Sequence, residues 1–223
     1  MKVIAKIKTD FPTKFGLPRQ SGLAEEIKGK IVFEKEYRNP DALRGLQDFS
    51  HLWIIWEFSE SKREVWSPTV RPPLLGGNER KGVFATRSPF RPNPIGLSSV
   101  KIEKIENTKN EGPVIFVSGV DMMDNTPIYD IKPYLPYTDC KTDATGGFTD
   151  ALKQRKLEVV FPENLKEKFD KSKQKEIIEA LSGDPRPSYI DDENRVYGFL
   201  FYDSEIKFTV NGKQLTVVEV KNV

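Results

Sequence analysis

The chain has 223 residues, with 35 lysines and arginines against 33 aspartates and glutamates, for a formal charge of +2. That length can bury a substantial core, while the near-balanced charge announces no nucleic-acid partner by itself, so any such partner must be met by local patches. One cysteine, Cys140, and one histidine, His51, exclude an internal disulfide and the usual zinc ligand sets, and the longest apolar run, HLWIIWEF, is too short to span a bilayer.

The opening MKVIAKIKTD lacks the anatomy of a signal peptide, which predicts a cytoplasmic globular protein without membrane or metal. The first half then reads as short strands: VIAKI (3–7), KIVFEKEY (30–37), HLWIIWEF (51–58), GVFAT (82–86), LSSVKIEKI (97–105) and PVIFVSGV (113–120). Alternation is visible in Ile31/Phe33 and Val100/Ile102, whereas HLWIIWEF is apolar enough to be covered on both faces. KLEVVF (156–161) alternates too and is expected to close the set. Strands joined by Gly/Pro-rich loops, with no helical patterns between them, favour a closed or nearly closed barrel over a doubly wound sheet.

The pattern changes after Phe161. Pro162 opens a helical stretch, Leu165/Phe169 and Ile177/Ile178/Leu181 have helical spacing, and Gly183 stops it. Ser172 is a candidate cap for a second helix, so one helix and two short ones are both open. VYGFLFYD and EIKFTVNGKQLTVVEV read as strands, the latter a hairpin turning at Asn211-Gly212. The fold class predicted is mainly β, with an N-terminal barrel over residues 1–161 and a small C-terminal α+β lobe over residues 162–223.

The polar signals sit in loops. FATRSPFRPNPIGLSSV (84–100) holds Arg87, Arg91 and Asn93 among three prolines, and no carboxylate occurs from Lys81 to Lys101. Proline fixes φ and pushes the preceding residue toward extended conformations, so this loop is stiff and is ordered before any ligand arrives. LPRQSG (17–22), TVRPPLLGGNERKG (69–82) and DNTPIYDIKPYLPYTD (124–139) are built alike, and four such loops joining barrel strands point to a shared site. Neither LLGGNERKG nor TGG fits a Rossmann or P-loop phosphate motif.

VFATRSPFRPNPIGLS, with DNTPIYDIKPYLPYTD after it and LPRQSG, GLQDFSHLWIIWEF and TVRPPLLGGN before it, resembles the TrmO family, also called TsaA-like or YaeB. DPRPSY and VYGFLF carry the likeness over nearly the whole chain. The resemblance implies a β-barrel methyltransferase that uses S-adenosylmethionine and acts as a homodimer on the tRNA anticodon loop. Its target would be N6 of threonylcarbamoyladenosine at position 37. It further implies that Pro18, Arg19 and Gln20 contact the cofactor, with Arg87 and Leu97, and with the turn Asp124, Asn125, Thr126 and Pro127, where Asn125 stands for the family's glycine. Ser59 and Glu60 occupy the place of the family's His-Gln. Asp184, Arg186 and Tyr189 match an element implicated in tRNA handling.

The residues themselves agree in kind. An arginine such as Arg87 suits the cofactor's carboxylate, a carboxylate such as Asp124 suits a diol or amine, and Leu97 suits a ring face. Asp130 is a candidate base or orienter with Lys132 as its partner, and a purely structural Asp130–Lys132 pair is equally open. Arg91, with Arg71, Arg80, Lys81, Lys132, Arg155 and Lys156, can meet phosphates, and Tyr129, Tyr134 and Tyr137 can stack loop bases. Two other readings stand beside this one: a catalytically silent module that binds S-adenosylmethionine or RNA, and a methyltransferase acting on a small molecule.

Overall fold

The computed structural model describes residues 1–61, 64–75, 77, 79–150, 156–186, 192 and 195–223. Six strands close into an antiparallel barrel: β1 (Ala5–Lys8), β2 (Lys28–Phe33), β3 (His51–Glu57), β6 (Ile95–Thr108), β7 (Gly112–Ser118) and β8 (Pro127–Pro133). Their order around the barrel is β1-β2-β7-β6-β3-β8, and β8 returns to β1 through the Ala5–Ile128 register. Alternation places Leu52, Ile54 and Trp56 of β3 inside and Trp53, Ile55 and Glu57 outside. HLWIIWEF is therefore half-covered rather than covered on both faces. Ala5, Ile7, Ile31, Val100, Ile115 and Ile128 complete the barrel interior.

Other strand expectations are corrected as well. GVFAT is not a barrel strand: β5 holds only Lys81–Gly82, which pairs with β4 (Thr69–Val70) in a two-stranded ribbon, and Val83–Ala85 turns as a 3-10 helix. The Thr86 hydroxyl, donating to the Val83 carbonyl at 2.9 Å, helps close that turn. Conversely DNTPIYDIKPYLPYTD is not all loop, because it supplies β8. Pro127 and Pro133 occupy the two ends of that strand, where a missing N–H costs least, and so disguised it. KIVFEKEY leaves the strand at Phe33 and turns at Lys35–Tyr37.

KLEVVF does not close the barrel. Its strand β9 (Glu158–Val160) pairs in parallel with β12 (Gln214–Asn222) and forms one edge of a four-stranded sheet ordered β10-β11-β12-β9 with β10 (Tyr197–Phe201) and β11 (Ser204–Asn211). The β11–β12 hairpin turns at Gly212, which has φ of 58°. One short helix, α1 (Pro136–Asp139), follows β8, and two more, α2 (Glu163–Lys166) and α3 (Lys171–Ser182), precede the second sheet. Asp170, not Ser172, caps α3, accepting from the Ser172 and Lys173 amides at 2.9 and 3.0 Å.

Phe11 joins the two sheets, meeting the Phe201 ring edge-on at 5.2 Å. The loop that carries Phe11 then runs at Gly16 directly beneath Phe199, so close that a Cβ there would lie 2.5 Å from the ring. Helix α3 bridges to the barrel with carboxylates. Glu176 accepts the Lys28 amide at 3.3 Å and Glu179 the Glu26 amide at 2.5 Å. The consequence is positional: the loop 11–22 is held at the barrel end between the two sheets.

Candidate active site

A cleft of about 830 Å³ opens at that end of the barrel, a size in the range of small-molecule sites. Segments 17–20, 56–61, 84–97 and 121–126 line it. Two of the four polar loops therefore converge, 17–22 and 84–100, and a third, 124–139, adds Thr126 alone. The fourth, 69–82, is absent from the wall and is tied up in the β4–β5 ribbon, where Arg80 donates to the Thr69 hydroxyl at 2.9 Å.

The proline corner forms one side. Its backbone is bonded onto itself: Ser88 N–H to Thr86 Oγ1 at 3.2 Å, Phe90 N–H to Ser88 Oγ at 3.2 Å, and Ile95 N–H to the Asn93 carbonyl at 2.7 Å. Arg91 ties back through Nη1 to the Thr86 carbonyl at 3.0 Å. Arg87 remains solvent-exposed and donates through Nη1 to Gln20 Oε1, which joins this corner to the Pro18–Gln20 segment. Arg19 in turn donates to the Arg186 carbonyl at 3.4 Å.

The floor holds a hydrogen-bonded relay. Trp56 Nε1 donates to Ser98 Oγ at 2.9 Å, and Ser98 Oγ donates to Asp121 Oδ1 at 2.6 Å. The indole lies flat against Gly96, where a Cβ would come within 2.2 Å of the ring, so a glycine is required at that position of β6. Burial pushes the Asp121 carboxyl above the usual carboxylate range, opposed by the Ser98 hydrogen bond and by the Arg87 charge. A carboxylate so placed faces a cavity edged by arginines and floored by Trp56, Phe58 and Met122. Sequence reasoning passed over Asp121 and Trp56. The available signal was a lone acid directly after the apolar strand β7, opposite a serine buried in the middle of LSSV.

Family models match along the chain: the tRNA-methyltransferase O N-terminal domain over residues 6–140 and the TrmO C-terminal domain over residues 154–223. The tRNA (adenine(37)-N6)-methyltransferase of Escherichia coli (strain K12) is 37% identical over 215 residues, which is 93% of this chain and 91% of that protein. The chain belongs to the TrmO family. A putative S-adenosylmethionine-dependent methyltransferase, RcsF of Pseudomonas aeruginosa (PAO1), is 37% identical over 211 residues, 91% of this chain and 89% of its own length. Among solved structures, TrmO from Pseudomonas aeruginosa superposes with a TM-score of 0.78 at 28% identity, covering 100% of this chain and 99% of the other.

Against the TrmO framework the individual expectations divide. Pro18, Arg19, Gln20, Ser59, Glu60, Arg87, Arg91, Leu97 and Thr126 all line the cleft. Asp124, Asn125 and Pro127 do not. Asp124 accepts the Thr9 amide at 3.1 Å, and Asn125 sits at φ of 63° with its amide donating to Asp124 Oδ2 at 2.6 Å. That turn binds β1, and asparagine replaces glycine there because it tolerates the left-handed region. Asp130 and Lys132 lie on the outer side of β8, paired with each other at 3.1 Å and outside the cleft. The structural pair is what this chain forms with them.

Asp184 and Arg186 are buried as an ion pair, Nε to Oδ1 at 2.8 Å and Nη2 to Oδ2 at 3.0 Å, and neither lines the cleft. Tyr189 and Arg155 lie outside the described residues. Of the tyrosines, Tyr129 is half-buried, its phenol pushed up to about 12 by desolvation and by Glu57. Tyr134 packs on Trp53 at 5.5 Å, and Tyr137 is exposed. Trp53 is itself pinned by its indole N–H to Asp139 at 2.8 Å, and the same carboxylate accepts the Leu135 amide. Among the described residues no helix is long and apolar enough to cross a membrane.

Proposed function

We propose that this chain is an S-adenosylmethionine-dependent tRNA methyltransferase acting on adenosine 37, and that its acceptor is N6 of threonylcarbamoyladenosine in the anticodon loop. The observation that carries the reading is the convergence of Pro18–Gln20, Arg87, Leu97 and Asp121 on one cleft in a member of the TrmO family. The donor set fits the cofactor. Arg87 and Arg19 offer charge-assisted hydrogen bonds to a carboxylate, and Trp56, Phe58 and Leu97 offer apolar faces to an adenine. Bound S-adenosylmethionine supplies an electrophilic methyl group carried on sulfur.

The chain's own residues then have two tasks. The proline corner and the Gln20–Arg87 link hold reactants in line, which is where much of the acceleration of a displacement arises. The acceptor nitrogen must also lose its proton, and in this reading Asp121 takes it. Burial raises the basicity of that carboxylate, and the Ser98 hydroxyl, itself fixed by Trp56, orients it. The reading includes the homodimer expected of the family and places the enzyme with its tRNA in the cytoplasm.

Nucleoside mass spectrometry of tRNA from a deletion strain tests the assignment. Loss of methylated threonylcarbamoyladenosine, restored by the gene, is the expected result; unchanged levels remove the tRNA reading. Calorimetry with S-adenosylmethionine separates the enzyme from a silent module, since an enzyme must bind it. Light scattering on the purified protein decides the oligomeric state.

A further inference from the structure

The rim of the cleft carries two large rings that packing does not cover. Phe84 is 71% exposed and Trp66 is 47% exposed, yet their rings stack on each other at 6.0 Å with 30° between planes. The 3-10 turn explains how Phe84 is held out. Val83, its neighbour, is buried and donates its amide to the Pro68 carbonyl at 2.9 Å, which points the next side chain away from the core. The Arg91 guanidinium stands 5.9 Å from the Phe84 ring and is fixed by its bond to the Thr86 carbonyl. Phe84 lines the cleft together with Arg87 and Arg91, and no carboxylate occurs from Lys81 to Lys101.

We propose that Phe84, Trp66 and Arg91 form a stacking platform for an unpaired nucleobase that flanks the methylated adenosine. This rests on the tRNA reading above and adds to it a recognition site of defined chemistry. An adenosine delivered into the cleft must leave its stack, so an adjacent base loses a neighbour and needs a new surface. Exposed aromatic rings with an arginine plane beside them are the surface proteins use for unstacked RNA bases, and the surrounding positive charge attracts the phosphates. The charge of this wall favours one occupant: residues 81–101 carry arginines and no acid, the carboxylates Glu57 and Glu60 entering the cleft from the separate segment 56–61, and a cationic stretch of that kind is matched by a polyanion. The three groups are ordered in advance, so a base can dock with little further entropy loss.

The test uses the full-length protein and an anticodon stem-loop RNA carrying threonylcarbamoyladenosine at position 37, intact or with an abasic site beside it. Phe84→Ala should weaken stem-loop binding about tenfold, the effect of removing one base-stacking ring. Phe84→Trp should stay within about twofold, and oligomeric state should not move in either variant. The abasic RNA should bind wild type more weakly yet bind Phe84→Ala no worse than the intact RNA does. Equal binding of the intact RNA by wild type and Phe84→Ala overturns the platform. So does conversion of Phe84→Ala to a smaller oligomer, which would make the rings a contact between copies. If wild type binds the RNA but transfers no methyl group, the enzymatic reading fails while the platform survives on the binding data.

Discussion

Asp121 on the floor of the cleft and Glu176 on the buried face of helix α3 are both carboxyls that burial pushes upward, Glu176 to about 7. Their surroundings differ. Asp121 is oriented by a serine hydroxyl and looks onto open volume shared with Arg87. Glu176 is 4% exposed, accepts the Lys28 amide, feels Asp10, Lys28 and Lys173, and lies apart from the cleft. A raised carboxyl alone therefore does not mark a functional group. It becomes one where reactants can reach it; elsewhere the same desolvation is the cost of docking a helix through backbone contacts.

The comparison can be broken most directly at its catalytic end. Asp121→Asn keeps the shape and removes the base, so turnover should fall about a hundredfold or more while the protein remains folded and at least as stable at neutral pH. Single-turnover methyl transfer to tRNA is the measurement, and a variant as active as wild type would reduce Asp121 to a structural acid. Next in size is Arg87→Ala. Losing a charge-assisted contact should weaken S-adenosylmethionine binding about tenfold in calorimetry, with folding intact because the side chain is exposed.

Glu176 sharpens the other side. Its folded pKa of about 7 lies above the ordinary carboxylate value of 4.5, so the folded state holds the proton more tightly than the unfolded one. Stability linked to it is highest at low pH, falls as pH rises from about 4.5 to about 7, and stays low beyond. Glu176→Gln should accordingly raise the thermal midpoint by a few degrees at pH 8, with the gain shrinking toward pH 5, and should leave turnover unaltered. A gain independent of pH would point to packing instead. The smallest effect belongs to Lys132→Ala: an exposed pair with Asp130 contributes at most about 0.5 kcal/mol, and denaturant titration together with turnover should register almost nothing.

Much of this molecule is written in local pattern. Alternation in Ile31/Phe33, the apolar run HLWIIWEF and PVIFVSGV places barrel strands, and Asn211-Gly212 places a hairpin, because these depend on side-chain period and backbone freedom within a few residues. The stiffness of residues 86–94 is likewise local, since proline acts on its own φ and on its neighbour. Motif likeness gathers Pro18, Arg19, Gln20, Arg87 and Leu97 without any fold in view.

What sequence reading misplaced depends on partners distant in the chain. KLEVVF alternates equally well for a barrel or for the second sheet, and only its parallel pairing with Gln214–Thr216 chooses between them. Nothing local in DPRPSY shows that Arg186 is buried against Asp184, and Asp130 reads equally as a base or as a structural partner until β8 turns it outward beside Lys132. Asp121 becomes a candidate only when Ser98 and Trp56, brought in from two other strands, surround it. Composition and spacing determined that this chain makes strands, rigid turns and a cationic corner. Tertiary closure decided which polar groups share one cleft, because desolvation and hydrogen-bond geometry are properties of the assembled surroundings rather than of any residue's neighbours in sequence.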